Sequence, residues 1–389
     1  MGKITFWGLT ASPFQLKMQS LADYAQLPWQ HWPDQADRRQ ALVMAWRLRR
    51  ARSSHQVQRF PGFVHGLDEY PEVPYYTLDG RQFYYDSTGL ARHLDALEYT
   101  PAPLVPQGPA ERFLCLLIDE AFDEFGLYMA HHNRWVTSAR TNVMAETTSR
   151  ELRKLLPPFT RRAMQRKLAR RQVRRCPYLF SVAPGGYRCA MPDRLTPPAR
   201  DGFPPTHELL DSAWRRYLQA IESLLSDQPF LLGERFTLAD ASVYGQLGMN
   251  LVDGRAAELL AQLAPGTYTW LHRIERGEHC SNPGAVRLNP ALNPLLECIV
   301  DTFVDLMRQN ASAYRDAVGR GGHRFNEAAF DRGESLYDGS LLGAPFRTVI
   351  KTFQVAVWQD LCSEWASLGT DERRGLADQY PCLKDSLFR

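Results

Sequence analysis

Thr10-Ala11-Ser12-Pro13-Phe14-Gln15-Leu16-Lys17 lies between a short β-like run, Ile4-Thr5-Phe6-Trp7, and a helix-like run ending near Ala25. Ser12 is a good N-cap residue, because its hydroxyl can accept a bond from a free amide of the first turn. Pro13 suits the first helical position, where no donor is needed. A helix start also carries free amides and a partial positive charge, so an anion such as a thiolate is stabilised there. Two readings of Ser12 follow: a cap and nothing more, or a group that faces an anionic sulfur.

Working outward, residues 1–100 read as one α/β unit. The strand Ile4–Trp7 leads into the helix Pro13–Ala25, and Pro28-Trp29-Gln30-His31-Trp32 returns as a parallel strand, completing a βαβ unit. Residues 34–60 are polar, basic and helical in part, and a turn-rich stretch runs from Pro61 to Pro71. Val73-Pro74-Tyr75-Tyr76-Thr77-Leu78 is strand-like, Asp79-Gly80 signals a hairpin, and Gln82-Phe83-Tyr84-Tyr85 is its partner. Asp86-Ser87 then caps a helix through Leu90, Leu94 and Leu97.

This βαβ–ββα order resembles the thioredoxin-like N-terminal domain of the glutathione transferases, on Ser12-Pro13-Phe14, Val73-Pro74-Tyr75 and Asp86-Ser87. The resemblance implies glutathione as co-substrate. Ser12 would be the catalytic residue, donating a hydrogen bond to the sulfur. Phe14, Val73, Pro74, Asp86 and Ser87 would bind the tripeptide: a cis Val-Pro bond offers backbone to the cysteinyl part, and the acidic-Ser pair holds the γ-glutamyl group. A cis proline is a rare, deliberate feature that can present a strand edge to a peptide. The plain alternatives are a strand-start proline at Pro74 and a simple cap at Ser87. Ser12-Pro13-Phe14-Gln15-Leu16-Lys17 also resembles the Ser-Pro-Phe-Cys-Leu-Lys of the metaxin and failed-axon-like branch. Here Gln15 replaces the cysteine, which excludes cysteine chemistry at that position. Lys17 is a weaker candidate for charge support, since a first-helix lysine is more often simply exposed.

A Pro-rich connection, Pro101 to Pro106, precedes a long helix from about Glu111 with Phe113, Leu114, Leu117, Ala121, Phe122 and Phe125 at helical spacing. The resemblance turns this helix toward the active cleft, making Tyr128, His131 and Trp135 either the substrate-pocket wall or ordinary packing. His131 and His132 are adjacent and face different sides of a helix, so no metal site is expected. Residues 150–175 hold eleven Lys or Arg against one acid, Glu151, a local charge of +10 in a chain whose net charge is +3. Such a run is a solvated helix face or a polyanion site. It lacks the interleaved aromatics of single-strand binders, which argues against nucleic acid. Cys176 to Pro205 is Pro/Gly-rich and reads as a long loop, followed by a 3.6-period helix from His207. Thr237 and Asp240, three apart at a helix start, form a capping box, in a stretch that closely resembles the structural hallmark of the glutathione transferase C-terminal domain. Beyond residue 280, Gly319-Arg320-Gly321-Gly322-His323 is a turn, bracketed by apolar helices at Leu295–Met307 and Phe346–Leu368. This extension would cover the cleft or widen a dimer contact.

Hydrophobic residues make up 44% and charged residues 23% of 389, ordinary for a soluble globular protein of two or three domains. The small net charge implies neither a nucleic-acid nor a membrane partner. Seven cysteines at irregular spacing, with no CxxC pair, fit a reducing compartment. There is no secretory signal pattern and no apolar stretch long enough to span a bilayer. The expectation is a cytoplasmic protein, a homodimer by family resemblance. It would have a thioredoxin-like glutathione-binding domain at 1–100 and an all-helical domain at 107–280 with a basic insertion at 150–205. A helical extension follows at 281–389. Its expected activity is attack of activated glutathione on a small hydrophobic electrophile. The rival expectation is a non-catalytic scaffold of the same fold that binds a protein or polyanionic partner through the basic segment.

Overall fold

The sheet is built where the apolar alternation is strongest. In a computed structural model describing residues 3–62, 74–280 and 284–388, β1 (Ile4–Trp7) pairs in parallel with β2 (Trp29–Trp32) across α1 (Pro13–Tyr24). On its other side β1 pairs antiparallel with a strand at Tyr75–Thr77, Phe6 opposite Tyr76. After α2 (Arg38–Ser53) a two-residue strand, β3 (Gln58–Arg59), precedes β4 (Tyr75–Thr77) and β5 (Tyr84–Tyr85). The order is β2-β1-β4-β5-β3. This is the thioredoxin-like arrangement expected, with β3 added in parallel on the outer edge of β5. That edge strand is new relative to the sequence reading, because Gln58-Arg59 carries no apolar alternation to announce it. The helix α2 is set by a capping box in which Asp37 accepts from Gln40 N and Gln40 accepts from Asp37 N. The Asp79-Gly80 turn forms with Gly80 at φ +67° and Asp79 accepting from the amides of Arg81 and Gln82. Asp86 caps α3 (Ser87–Ala96) by accepting from Gly89 N.

The helical half packs on α1. A long helical run covers 109–137, interrupted by π-type turns at Phe122–Gly126 and Asn133–Thr137. The helix Leu238–Gly248, buried along its whole length, lies against both that run and α1. It approaches so closely that a Cβ on Gly245 would sit 2.8 Å from Pro13 O and 2.9 Å from Lys17 Cβ. One continuous apolar core joins Phe6, Met18, Leu117, Trp214 and Leu247 to Leu295 and Trp358 of the extension.

Three expectations are corrected. The basic run is not one helix: Met144–Glu151 ends in a turn, and a separate helix covers Arg161–Arg174, the break falling at Pro157-Pro158 where helix is disfavoured. The Phe346–Leu368 stretch is not all helix either. Ala344–Val349 pairs antiparallel with Leu336–Leu341, and the helix begins only at Thr352. The hairpin turns on Leu342 (φ 49°) and Gly343 (φ 76°), both left-handed as such a turn requires. Finally, Ser12 makes no side-chain capping bond. The first turn is closed by backbone alone, Gln15 N donating to Ser12 O at 3.1 Å.

Candidate functional site

Most of the sequence-derived residues fall at the start of α1, at the start of α3 and along the helical run 109–137. Ser12 and Phe14 are partly exposed at the start of α1, and the Ser12 hydroxyl is not spent on the cap. Two elements brace the loop before it. Arg134, buried and ion-paired with Asp253 at 2.8 Å, donates to Ala11 O at 2.8 Å. Glu151, the lone acid of the basic segment, accepts from both Thr10 N and Thr10 Oγ1. Behind Ser12, Gln15 is fully buried, and among the described residues neither its amide oxygen nor its nitrogen has a hydrogen-bond partner. Its side chain fills the space over Gly8, where a Cβ would lie 1.9 Å from Oε1 and 3.0 Å from Pro74 Cβ. Pro74 is buried, while Val73 lies outside the described residues.

At the start of α3, Asp86 adopts φ +76° with ψ 122°, outside the left-handed helical region where aspartate with positive φ is mostly found. Its Oδ2 is 2.8 Å from Arg59 Nε. Asp86 and burial work in opposite senses on that guanidinium, and the carboxylate prevails and raises its pKa. Ser87 is buried, its Oγ 3.4 Å from Asp123 Oδ2. Arg59 Nη1 also reaches to 3.8 Å from Asp360 on the helix Thr352–Ser367. The residues that would grip a γ-glutamyl group are therefore held by other side chains of the same protein.

Lys17 departs most from expectation. It is not exposed: only 1% of its side chain is accessible, and Nζ lies 2.6 Å from both Asp119 Oδ1 and Asp123 Oδ2 and 3.2 Å from Thr88 Oγ1. Burial opposes its charge, yet the two carboxylates outweigh burial and raise its pKa. Ser242 and Thr88 donate to the same carboxylates. Burial pushes Asp123 up to about 7 against the pull of Lys17, and Glu124 up to about 7 against its hydrogen bond with Gln354 and the charge of Lys351. Burial beside Asp119 and Asp123 raises Glu120 as well. Sequence reasoning missed this cluster. Its signal was Asp119-Glu120 and Asp123-Glu124, paired acids on the face of an otherwise apolar helix.

The supposed pocket wall is packed. Tyr128 OH receives Lys351 Nζ at 2.5 Å and Gln354 Nε2 at 2.8 Å, and its ring stacks on Phe180 at 5.5 Å. His131 faces Gln172 at 3.4 Å and is held neutral, burial and Arg175 lowering its pKa to about 3. Trp135 lies against Val173 and Cys176. His132 joins Ser181 and then His207 in a buried chain of hydrogen bonds at 2.8 and 3.2 Å. No group of three or more His, Cys, Asp or Glu among the described residues is arranged to hold a metal ion.

Asp240 Oδ2 accepts from Thr237 N and Oγ1 at 2.9 and 2.8 Å while Oδ1 accepts from Leu231 N at 2.8 Å, all buried. Residues 204–273, which contain this box, match the family model for the glutathione S-transferase C-terminal domain. Residues 204–273 are thus similar to a glutathione S-transferase C-terminal domain. Among solved structures, this chain is similar to a glutathione S-transferase of Ceriporiopsis subvermispora in complex with glutathione. The two share 17% identity at a TM-score of 0.40, over 71% of this chain and 97% of the other. A β-etherase of Sphingobium sp. strain SYK-6 matches at 15% identity and a TM-score of 0.41, over 76% and 98% of the two chains. A theta-class glutathione S-transferase of Xanthomonas axonopodis pv. citri with glutathione bound matches at 19% and 0.30, over 71% and 97%. No curated protein matches the chain. No helix of the described residues is long and apolar enough to cross a membrane.

Proposed function

We propose that this chain binds glutathione and activates its thiol for attack on a small hydrophobic electrophile. The observation that carries this reading is the Ser12 hydroxyl: partly exposed, at the N-terminus of α1, and not engaged in capping. Its O–H donates to the sulfur, and the positive end of α1 adds to the effect. Both favour the thiolate, which is the nucleophile. Val73 and Pro74 offer backbone to the cysteinyl part, Phe14 flanks it, and Asp86 and Ser87 take the γ-glutamyl end. Tyr128, His131 and Trp135, packed against Lys351, Gln172 and Val173, back the electrophile side rather than lining it. The protein works as a homodimer in a reducing cytoplasm, a setting supported by seven unpaired cysteines.

A second reading, a non-catalytic scaffold, is favoured by the occupied anchor: Asp86 is held by Arg59 and Ser87 is buried. Calorimetric titration with reduced glutathione, alongside Ser87→Ala, separates the two. Saturable binding that weakens in the variant supports the transferase reading. Absence of binding at millimolar glutathione overturns it and leaves the scaffold.

A further inference from the structure

Helix α2 carries apolar side chains on both of its faces. Ala41, Met44, Leu48 and Ala51 turn inward, and three of them pack with Tyr75, Phe83 and Tyr85. On the outward face Leu42 is 48% exposed, Val43 49% and Trp46 61%. Spacings of three and four residues put these on one stripe. Single apolar side chains on a surface are ordinary, whereas a contiguous group marks a contact surface. Arginine borders the stripe. Arg38–Ser53 holds six arginines and no acid. Arg38, Arg39, Arg49 and Arg50 are exposed, and the Arg50 guanidinium lies 5.8 Å from the centre of the Trp46 ring. Arg47 and Arg52 lie over Phe83 and Tyr75 at 5.8 Å each. Among the described residues none of the six stands in an ion pair. The neighbouring carboxylates are engaged elsewhere, Asp37 with Gln40 N at the cap and Asp34 with Arg153.

The net charge of +3 conceals this local field. A purely ionic partner satisfies the arginines but leaves Leu42, Val43 and Trp46 in water. A purely apolar one strands the guanidinium groups. A second copy seated on the same face across a two-fold axis brings arginine against arginine. A nucleic acid supplies phosphates, yet Leu42 and Val43 give its bases no platform to stack on. An anionic bilayer surface supplies both parts. Its phosphate oxygens match the planar donor fork of guanidinium. The layer beneath them receives aliphatic side chains and indole, and tryptophan favours that boundary. We infer that α2 lies flat on an anionic membrane surface, with Leu42, Val43 and Trp46 at the acyl boundary and Arg39, Arg49 and Arg50 on lipid phosphates. Such a helix lies in the interface and spans nothing, so the attachment is reversible. The inference uses neither the glutathione residues nor the basic segment 150–175, and it does not rest on the transferase reading.

The test sediments the full-length protein with sucrose-loaded vesicles of phosphatidylcholine, alone or mixed with phosphatidylglycerol. Binding to the mixed vesicles is expected to be roughly tenfold tighter or more, and to weaken as salt is added. Arg39→Gln with Arg50→Gln is expected to weaken it roughly tenfold or more, and so is Trp46→Ser alone. Arg161→Gln with Lys167→Gln, which removes the same charge from the other basic helix, is expected to change it less than about twofold. Failure to sediment with the mixed vesicles, equal losses in the two charge variants, or full binding by Trp46→Ser overturns the inference. Binding of polyglutamate without binding of vesicles, lost in the Arg39→Gln with Arg50→Gln variant, also overturns it by assigning the face to an acidic polypeptide. A dimer that Trp46→Ser dissolves, again without vesicle binding, overturns it by assigning the face to a second copy.

Discussion

Arg59 Nε lies 2.8 Å from Asp86 Oδ2, so the carboxylate at the head of α3 already has a cation on it. Under the glutathione reading, the γ-glutamyl amine must compete with this guanidinium. Arg59→Gln is therefore expected to bind glutathione at least tenfold more tightly by calorimetry. It should also lose about 2–4 kcal/mol of stability, since breaking a largely buried pair strands a charge. Unchanged or weaker affinity shows that Arg59 is not the obstacle.

Lys17→Met tests the cluster beneath it. Asp119 and Asp123 would lose their shared cation in a site that excludes water. The expected cost is about 3–5 kcal/mol in urea denaturation. Adding Asp119→Asn and Asp123→Asn to Lys17→Met should recover most of that loss. A triple variant no more stable than the single one would show that shape, not charge, limits the site.

Replacing a capping serine ordinarily costs about 0.5–2 kcal/mol. Because the Ser12 side chain makes no capping bond, Ser12→Ala should leave stability within about 0.5 kcal/mol while lowering conjugation of glutathione to a chloronitrobenzene substrate. A denaturation midpoint shifted by a full cap's worth, with no change in rate, would return Ser12 to a purely structural role.

Glu124, pushed up from an ordinary 4.5 to about 7 by burial, makes stability depend on pH in a defined direction. Between those values the native state holds the proton and the unfolded chain has lost it, so the contribution is full below about pH 4.5 and declines as pH rises to about 7. Glu124→Gln should flatten the fall in Tm over that window; an identical slope in the variant would remove Glu124 as its source.

The buried histidines act in the opposite sense. His131 is lowered to about 3 and His207 to about 4, burial being the first cause of each. The unfolded chain takes up protons below about pH 6.5 where the native state does not, so stability is lost as pH falls from there toward 4. Thermal scans of His207→Gln should show a shallower acid limb than the native protein, and an unaltered limb would place the acid sensitivity elsewhere.

The elements that repeat a local pattern were readable from sequence: β1, α1 and β2 from alternation and the Ser12-Pro13 start, and the Thr237–Asp240 box from its spacing. What escaped depends on distant partners. A lysine on a helix reads as polar surface until Asp119 and Asp123, a hundred residues on, are folded against it. Arg59 sits in a two-residue strand too short to carry a period, and its role appears only when Asp86 is beside it. The Leu336–Val349 hairpin was concealed by Leu342, a residue that seldom adopts the left-handed conformation its turn demands. Tyr128, His131 and Trp135 were placed on the correct helix, but their neighbours come from Phe180, Gln172, Val173 and Lys351, which no spacing rule links to them.

The bond from Lys351 to the Tyr128 hydroxyl spans 223 residues, and this sets the order in which the protein can be completed during synthesis. Chains emerge from the ribosome N-terminus first. The thioredoxin-like unit and the 109–137 run are thus made long before Lys351 and Gln354 exist. Until residues 351 and 354 are translated, Glu124 and Tyr128 are left without those partners, on a half-built surface that is also apolar. A premature stop before residue 351 would release a chain with a complete sheet but an unfinished interior.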